Sequence, residues 1–178
     1  RRREHRRRPR SRGRRVLVTG DTGFKGAWLC AWLIKLGAEV TGFARREPTE
    51  NLYYRAGLGS RLVHEDGDIR DLKALLSAAD RARPEIIFHL AAQPIVLESY
   101  RDPLGTFTTN IMGTAHVLEA ARHIPSLRGI VVVTSDKCYE NQDWVHGYRE
   151  TDPLGGHDPY SGSKAAAEIV CGVYARSF

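Results

Sequence analysis

The chain has 178 residues, 42% of them hydrophobic and 27% charged, the make-up of a globular protein long enough to bury a full core. No apolar run approaches the roughly 20 residues that span a bilayer, which excludes a transmembrane protein. The net charge of +6 does not mark a nucleic-acid binder: of 27 basic and 21 acidic residues, ten arginines and one glutamate lie in residues 1–15, and the remainder carries 17 and 20, a net of −3.

Residues 1–15, RRREHRRRPRSRGRR, show no apolar periodicity and are expected to form a disordered tail that binds polyanions weakly at most. They contain no apolar segment of a secretory signal. Cys30, Cys138 and Cys171 are an odd set whose spacing matches no zinc or redox motif. They suit a reducing, cytoplasmic setting, and the sequence calls for no metal.

From residue 16 onward, strand-like and helix-like patterns alternate. Val16–Thr19 reads as a buried strand, and VTGDTGFKG follows with Gly20, Gly23 and Gly26 at G-x-x-G-x-x-G spacing. Glycines there permit a tight turn and close approach to a pyrophosphate, while the next helix, Phe24–Leu36, offers the N–H groups of its first turn. Asp21 sits awkwardly in such a turn, because a carboxylate about 4 Å from a phosphate costs about 1–4 kcal/mol. It is therefore expected to point away. The second strand, Val40–Ala44, ends in Arg45-Arg46 and lacks the acid that normally takes adenosine ribose hydroxyls; arginines there can instead accept a 2′-phosphate, so this feature leaves NAD against NADP open.

A weaker strand at Arg61–His64 leads to Gly67-Asp68-Ile69-Arg70-Asp71, and a helix is predicted over Asp71–Ala82. Ile86–Ala91 is the fourth strand, running into Ala92-Gln93-Pro94, and a third helix covers much of Asp102–His123. The fifth strand, Ile130–Thr134, runs into TSDKCYEN, which places two hydroxyls, an acid and a lysine just beyond a strand end, where open α/β sheets bind ligands. In DPYSGSKAAAE, Tyr160 and Lys164 are four apart at a helix start and share a face. A lysine ammonium beside a phenol favours the phenolate and makes the tyrosine a usable base. The alternation predicts an α/β fold with a doubly wound parallel sheet of Rossmann type over residues 16–178.

VTGDTGFKG, GDIRD, FHLAAQP, TSDKCYEN and DPYSGSK together resemble the extended short-chain dehydrogenase/reductase superfamily. Within it the pattern is most similar to the sugar-nucleotide 4,6-dehydratases, and Asp136-Lys137, where dTDP-glucose enzymes tend to show Asp-Glu, favours the branch acting on CDP-glucose. The resemblance implies NAD as cofactor, with Gly20, Gly23, Phe24 and Gly26 at the pyrophosphate and Asp68 and Ile69 at the adenine. It places Ala91, Ala92, Gln93, Thr134, Tyr160 and Lys164 along the nicotinamide half. Its implied chemistry is redox-neutral: Tyr160, aided by Lys164 and Ser135, deprotonates the C4 hydroxyl during oxidation, Lys137 removes the C5 proton and Asp136 protonates the departing C6 hydroxyl. A lysine does such work only where burial or nearby positive charge favours its neutral form.

Three departures follow. Asp21 stands where this group often shows histidine, Leu97-Glu98 replaces a more basic stretch, and the chain stops at Phe178, before the part that supplies later strands and most of the sugar-nucleotide pocket. A fold truncated before its C-terminal substrate-binding part is therefore expected. A sugar-nucleotide epimerase and a non-catalytic NAD-binding fragment remain open, as does touching of substrate by Trp144, Tyr148 and Arg149. The resemblance also implies a homo-oligomer.

Overall fold

A computed structural model describes residues 12–46 and 50–178. Five parallel strands form one sheet: β1 (Arg15–Thr19), β2 (Glu39–Ala44), β3 (Val63–Asp66), β4 (Ile86–His89) and β5 (Gly129–Val132), in the order β3-β2-β1-β4-β5. The order runs one way from β1 to β3 and the other way through β4 to β5. That reversal opens a crevice between the carboxyl ends of β1 and β4, the switch point of a doubly wound sheet.

β1 is central, and from Val16 to Thr19 it is buried on both faces. Leu17, with Ile87 and Phe43, packs toward α3 (Leu72–Ala82) and α6 (Gly113–Arg122). Val16 and Val18, one residue out of phase, pack toward α1 (Phe24–Lys35) with Ala27, Cys30 and Leu33. Each such side chain contributes about 1.5–3 kcal/mol by leaving water.

Helix ends follow local chemistry. Asp71 caps α3 by accepting from the Ala74 N–H at 3.0 Å, and the helix stops at Arg83, φ 42°, ahead of Pro84. Asp158 caps α7 (Pro159–Ser177) by accepting from the Ser161 N–H at 2.9 Å, with Pro159 in the first turn. The predicted helix over Asp102–His123 is broken: α5 (Pro103–Phe107) gives way to a π-turn at Thr108–Met112 before α6 resumes. Before them come two shorter helices absent from the sequence reading, α2 (Leu52–Arg55) and α4 (Val96–Arg101).

Several boundaries move. The third strand lies at Val63–Asp66, β4 ends at His89, and β5 ends at Val132, so Thr134 is two residues beyond it. The expected tail, residues 1–15, is corrected at its inner end: Arg15 opens β1, Arg14 is paired with Glu85, and the Arg15 Nε donates to the Arg83 carbonyl at 2.8 Å. Ion pairing and strand registry recruit these arginines where composition suggested solvation. Residues 1–11 lie outside the described residues. Among the described residues no helix is long and apolar enough to cross a membrane.

Candidate active site

A cleft of about 380 Å³ lies over the carboxyl ends of the strands. At one end the Gly20–Gly26 turn runs from β1 into α1. The Gly23 N–H donates to the Gly20 carbonyl at 3.1 Å, and Gly23 enters the helix without any side-chain cap, which leaves first-turn N–H groups facing outward. A Cβ at Gly26 would overlap the Gly20 carbonyl oxygen, so only glycine allows the turn to close on itself. Gly20, Gly23, Phe24 and Gly26 all line the cleft, with Lys25 beside them.

Asp21 points away from this space, as electrostatics required. It is fully buried beneath the turn, its Oδ2 sits 2.8 Å from His64 Nδ1, and it fills the position a side chain at residue 42 would need. The hydrogen bond to Asp21 raises the His64 pKa above its ordinary value against the opposing effect of burial. The second carboxylate oxygen, Tyr53 Oη and His64 Nε2 are buried without partners among the described residues.

Ala44 and Arg45, at the end of β2, and Gly67, Asp68 and Ile69, after β3, form the adjoining wall. Asp68 is gripped by the Arg70 guanidinium, which holds its carboxyl below the usual carboxylate range; the Arg45 charge adds to this. Lys25, Arg45 and Lys164 thus face a cleft whose wall contributes one carboxylate, itself neutralised, and the space is electropositive.

Leu90, Ala91 and Ala92 form the floor. Beneath them is a polar chain that no sequence motif announced. The Ala91 N–H donates to Thr19 Oγ1 at 3.3 Å, Thr19 Oγ1 lies 2.6 Å from His89 Nδ1, and His89 Nε2 lies 3.1 Å from Thr114 Oγ1, which donates to the Asn110 carbonyl at 2.7 Å. Burial, reinforced by the Lys164 charge, pushes the His89 pKa down to about 3, so the ring is neutral. Asn110, in the π-turn, reaches onward to Ser163 Oγ at 2.8 Å. The residues are scattered singly along the chain, and only their burial reveals the set.

Gln93 lies between Ala92 and Pro94, which line the cleft. Its amide donates to Thr106 Oγ1 at 2.9 Å and to the Ile95 carbonyl, and accepts from the Ile95 N–H, so the side chain staples the following loop outside the cleft wall.

Tyr160 and Lys164 line the far end from adjacent turns of α7. Lys164 is 7% exposed, and its ammonium donates to the Val133 carbonyl at 3.3 Å. Burial, and then the Lys25 charge, lowers its pKa. Thr134 also lines the cleft, with its hydroxyl donated to Glu168.

Ser135, Asp136 and Lys137 stand outside that wall. Ser135 Oγ donates to Asp136 Oδ1 at 3.0 Å and accepts from the Lys137 N–H at 3.2 Å, capping a 3₁₀ turn at Asp136–Cys138. Asp136 and Lys137 are exposed. Cys138 is buried and pins the turn. Beyond it Tyr139 stacks on Tyr148 at 5.1 Å, with Trp144 tilted against Tyr148.

The GDP-mannose 4,6 dehydratase family model matches residues 17–178. The chain belongs to that family. It is 48% identical over 167 residues to the CDP-glucose 4,6-dehydratase of Salmonella typhimurium, covering 93% of this chain and 46% of that protein. It is 31% identical to the CDP-paratose 2-epimerase of Salmonella typhi, over 92% of this chain and 54% of that one. Among solved structures, the UDP-glucose 4-epimerase of Thermus thermophilus in complex with NAD superimposes with a TM-score of 0.79 at 30% identity, covering 92% and 51% of the two chains. This family member thus spans about half the length of the curated relatives it matches.

Proposed function

We propose that the chain is the cofactor and catalytic-helix portion of a sugar-nucleotide 4,6-dehydratase that converts CDP-glucose to CDP-4-dehydro-6-deoxy-glucose with NAD, in the cytoplasm. One observation carries the reading: Tyr160 and Lys164 line the same cleft as the Gly20–Gly26 turn. The identity to the Salmonella typhimurium CDP-glucose 4,6-dehydratase supports the choice of substrate.

The residues fit a dinucleotide. The turn leaves room for a pyrophosphate, Lys25 balances its charge, and the small residues Ala91 and Ala92 admit a flat ring beside Lys164. When bound, NAD supplies the acceptor that takes hydride from C4 and later returns it to C6. Tyr160 takes the proton of the C4 hydroxyl, with Lys164 one helical turn away on the same face of α7. Ser135 holds the sugar hydroxyl. The 4-ketone acidifies the C5 proton, which Lys137 removes while Asp136 protonates the C6 hydroxyl so that it leaves as water; when hydride returns to C6, Lys137 gives the proton back to C5. The sugar in this scheme lies at the rim of the cleft, toward the Asp136–Cys138 turn.

The test is mass spectrometry of CDP-, dTDP-, GDP- and UDP-glucose after incubation with the purified chain and NAD. Loss of one water from CDP-glucose alone is expected; no loss from any sugar would sink the claim that this chain is an active dehydratase. The exposed position of Asp136 and Lys137 favours a second reading, an epimerase, which needs only Tyr160 and Lys164. It would change the sugar's chromatographic position and leave its mass unaltered.

A further inference from the structure

Asp21 lies directly beneath an anion site. Gly20 and Thr22, its neighbours in the chain, line the cleft, while its own carboxylate is fully buried under the turn. That carboxylate reaches its partner across a strand. His64 of β3 stands in register with Gly42 of β2, and a Cβ at Gly42 would collide with the carboxylate, so the glycine is what lets Asp21 pass over β2 to His64 Nδ1 at 2.8 Å. The turn is held over the pair: Thr22 Oγ1 donates to the Arg45 carbonyl at 3.2 Å, and the Thr22 carbonyl accepts from the Asn51 amide at 3.1 Å.

The groups around the pair leave His64 to balance it. Cys30 of α1 and Tyr53 of α2 are both pushed up to about 12 by burial, with the Asp21 charge adding, so neither exchanges a proton near neutrality. Asp66 and Arg46, exposed and paired with each other at 2.9 Å, act on His64 in opposite directions. With its ring protonated, the Asp21–His64 pair carries no net charge. Once the ring loses its proton, one negative charge remains in a dry pocket below the turn, and among the described residues the second Asp21 oxygen has no partner to disperse it.

We propose that His64 is a positioning residue for the dinucleotide: its protonated ring neutralises the buried Asp21 carboxylate and thereby sets how tightly a pyrophosphate binds on the turn above. This rests on the dinucleotide reading of the cleft. His64 does not line the cleft and acts only through Asp21.

The test is calorimetric titration of the full chain with NAD and with ADP-ribose at pH 6 and pH 9. ADP-ribose carries the pyrophosphate without the nicotinamide and so leaves out the Lys164 end of the cleft. Affinity is expected to be full at pH 6 and to fall about 5- to 50-fold by pH 9. H64Q keeps a hydrogen-bonding side chain without a charge, and at pH 6 it should bind as weakly as the wild type does at pH 9. D21N removes the charge that needs balancing, so at pH 9 it should bind as tightly as the wild type does at pH 6; combined with H64Q it should restore what H64Q loses. By reciprocity, saturating ADP-ribose should raise the midpoint of the His64 imidazole titration, followed by NMR, by about one pH unit.

A pair that only holds the fold together predicts something else, namely that D21N and H64Q weaken binding alike. That result would overturn the proposal, as would a wild type and a D21N variant with the same pH profile, or a His64 midpoint that the ligand leaves in place. Should H64Q fail to fold, D21N and the NMR titration decide the matter. Binding of neither ligand at either pH would bring down the cofactor reading as well, so the two failures are distinguishable.

Discussion

The two ends of the site are built to different standards. Around the Gly20–Gly26 turn the structure is over-determined: Asp21 is buried on His64, Gly26 packs against the Gly20 carbonyl, and the floor stands on the bonded series from Ala91 to Asn110. Around Ser135–Lys137 a single short turn holds an exposed acid and an exposed lysine, flanked by stacked, mostly solvent-facing aromatics. A preorganised cofactor half beside a solvated acid-base pair means that binding is prepared by packing on many sides, whereas the elimination rests on the hold of one short turn.

Four experiments break or sharpen that contrast. The largest effect belongs to Y160F, which removes the proton acceptor from the prepared half: turnover of CDP-glucose should fall about 10²- to 10⁴-fold while the NAD dissociation constant moves less than about threefold. Equal losses in both would show that Tyr160 serves binding instead. G26A comes next. Its Cβ has to displace backbone, and overpacking of this kind costs about 1–3 kcal/mol, read as a lower urea midpoint together with weakened NAD binding.

D158A removes the cap that starts α7 and should cost about 1 kcal/mol, with looser Tyr160 placement seen as faster hydrogen exchange in that first turn. Smallest in its effect on stability is the paired change D136N with K137A. Both side chains are exposed, so stability should stay within about 0.5 kcal/mol and NAD binding should not change, while water loss from CDP-glucose stops. A drop in stability would show that the shelf is more tightly packed than its exposure indicates.

The Asp21–His64 pair adds a pH signature to the prepared half. Its folded-state histidine pKa is raised, so the pair's stabilisation is fully present below the unfolded value near 6.5 and is lost as pH rises through the raised one. The urea midpoint of the wild type minus that of H64Q should accordingly shrink from pH 6 to pH 9. A difference that grows over this interval would reverse the assignment.

What was legible in the sequence is what depends on near neighbours. Continuous apolar runs placed the strands to within two residues, glycine spacing located the turn, and Asp71 and Asp158 marked helix starts because a cap acts over three residues. Partners far apart in the chain were not legible. That Asp21 would turn inward follows from charge, but its donor in β3 is 43 residues away. Gln93 carries a cofactor motif, yet its amide is taken by Thr106 and Ile95, a choice made by how the loop folds back. The π-turn at Asn110 has no local signature, and the outward stance of Asp136 and Lys137 depends on Cys138 being buried beneath them.

The floor of the cleft has a polarity that can be read off its ends. At Ala91 an amide can only donate, and at Asn110 a carbonyl can only accept, so the neutral His89 must carry its proton on Nε2 and every hydroxyl between must point the same way. Reversing that direction would need a backbone amide to accept and a carbonyl to donate. The series of residues running beneath the cleft is therefore a strut and not a proton wire.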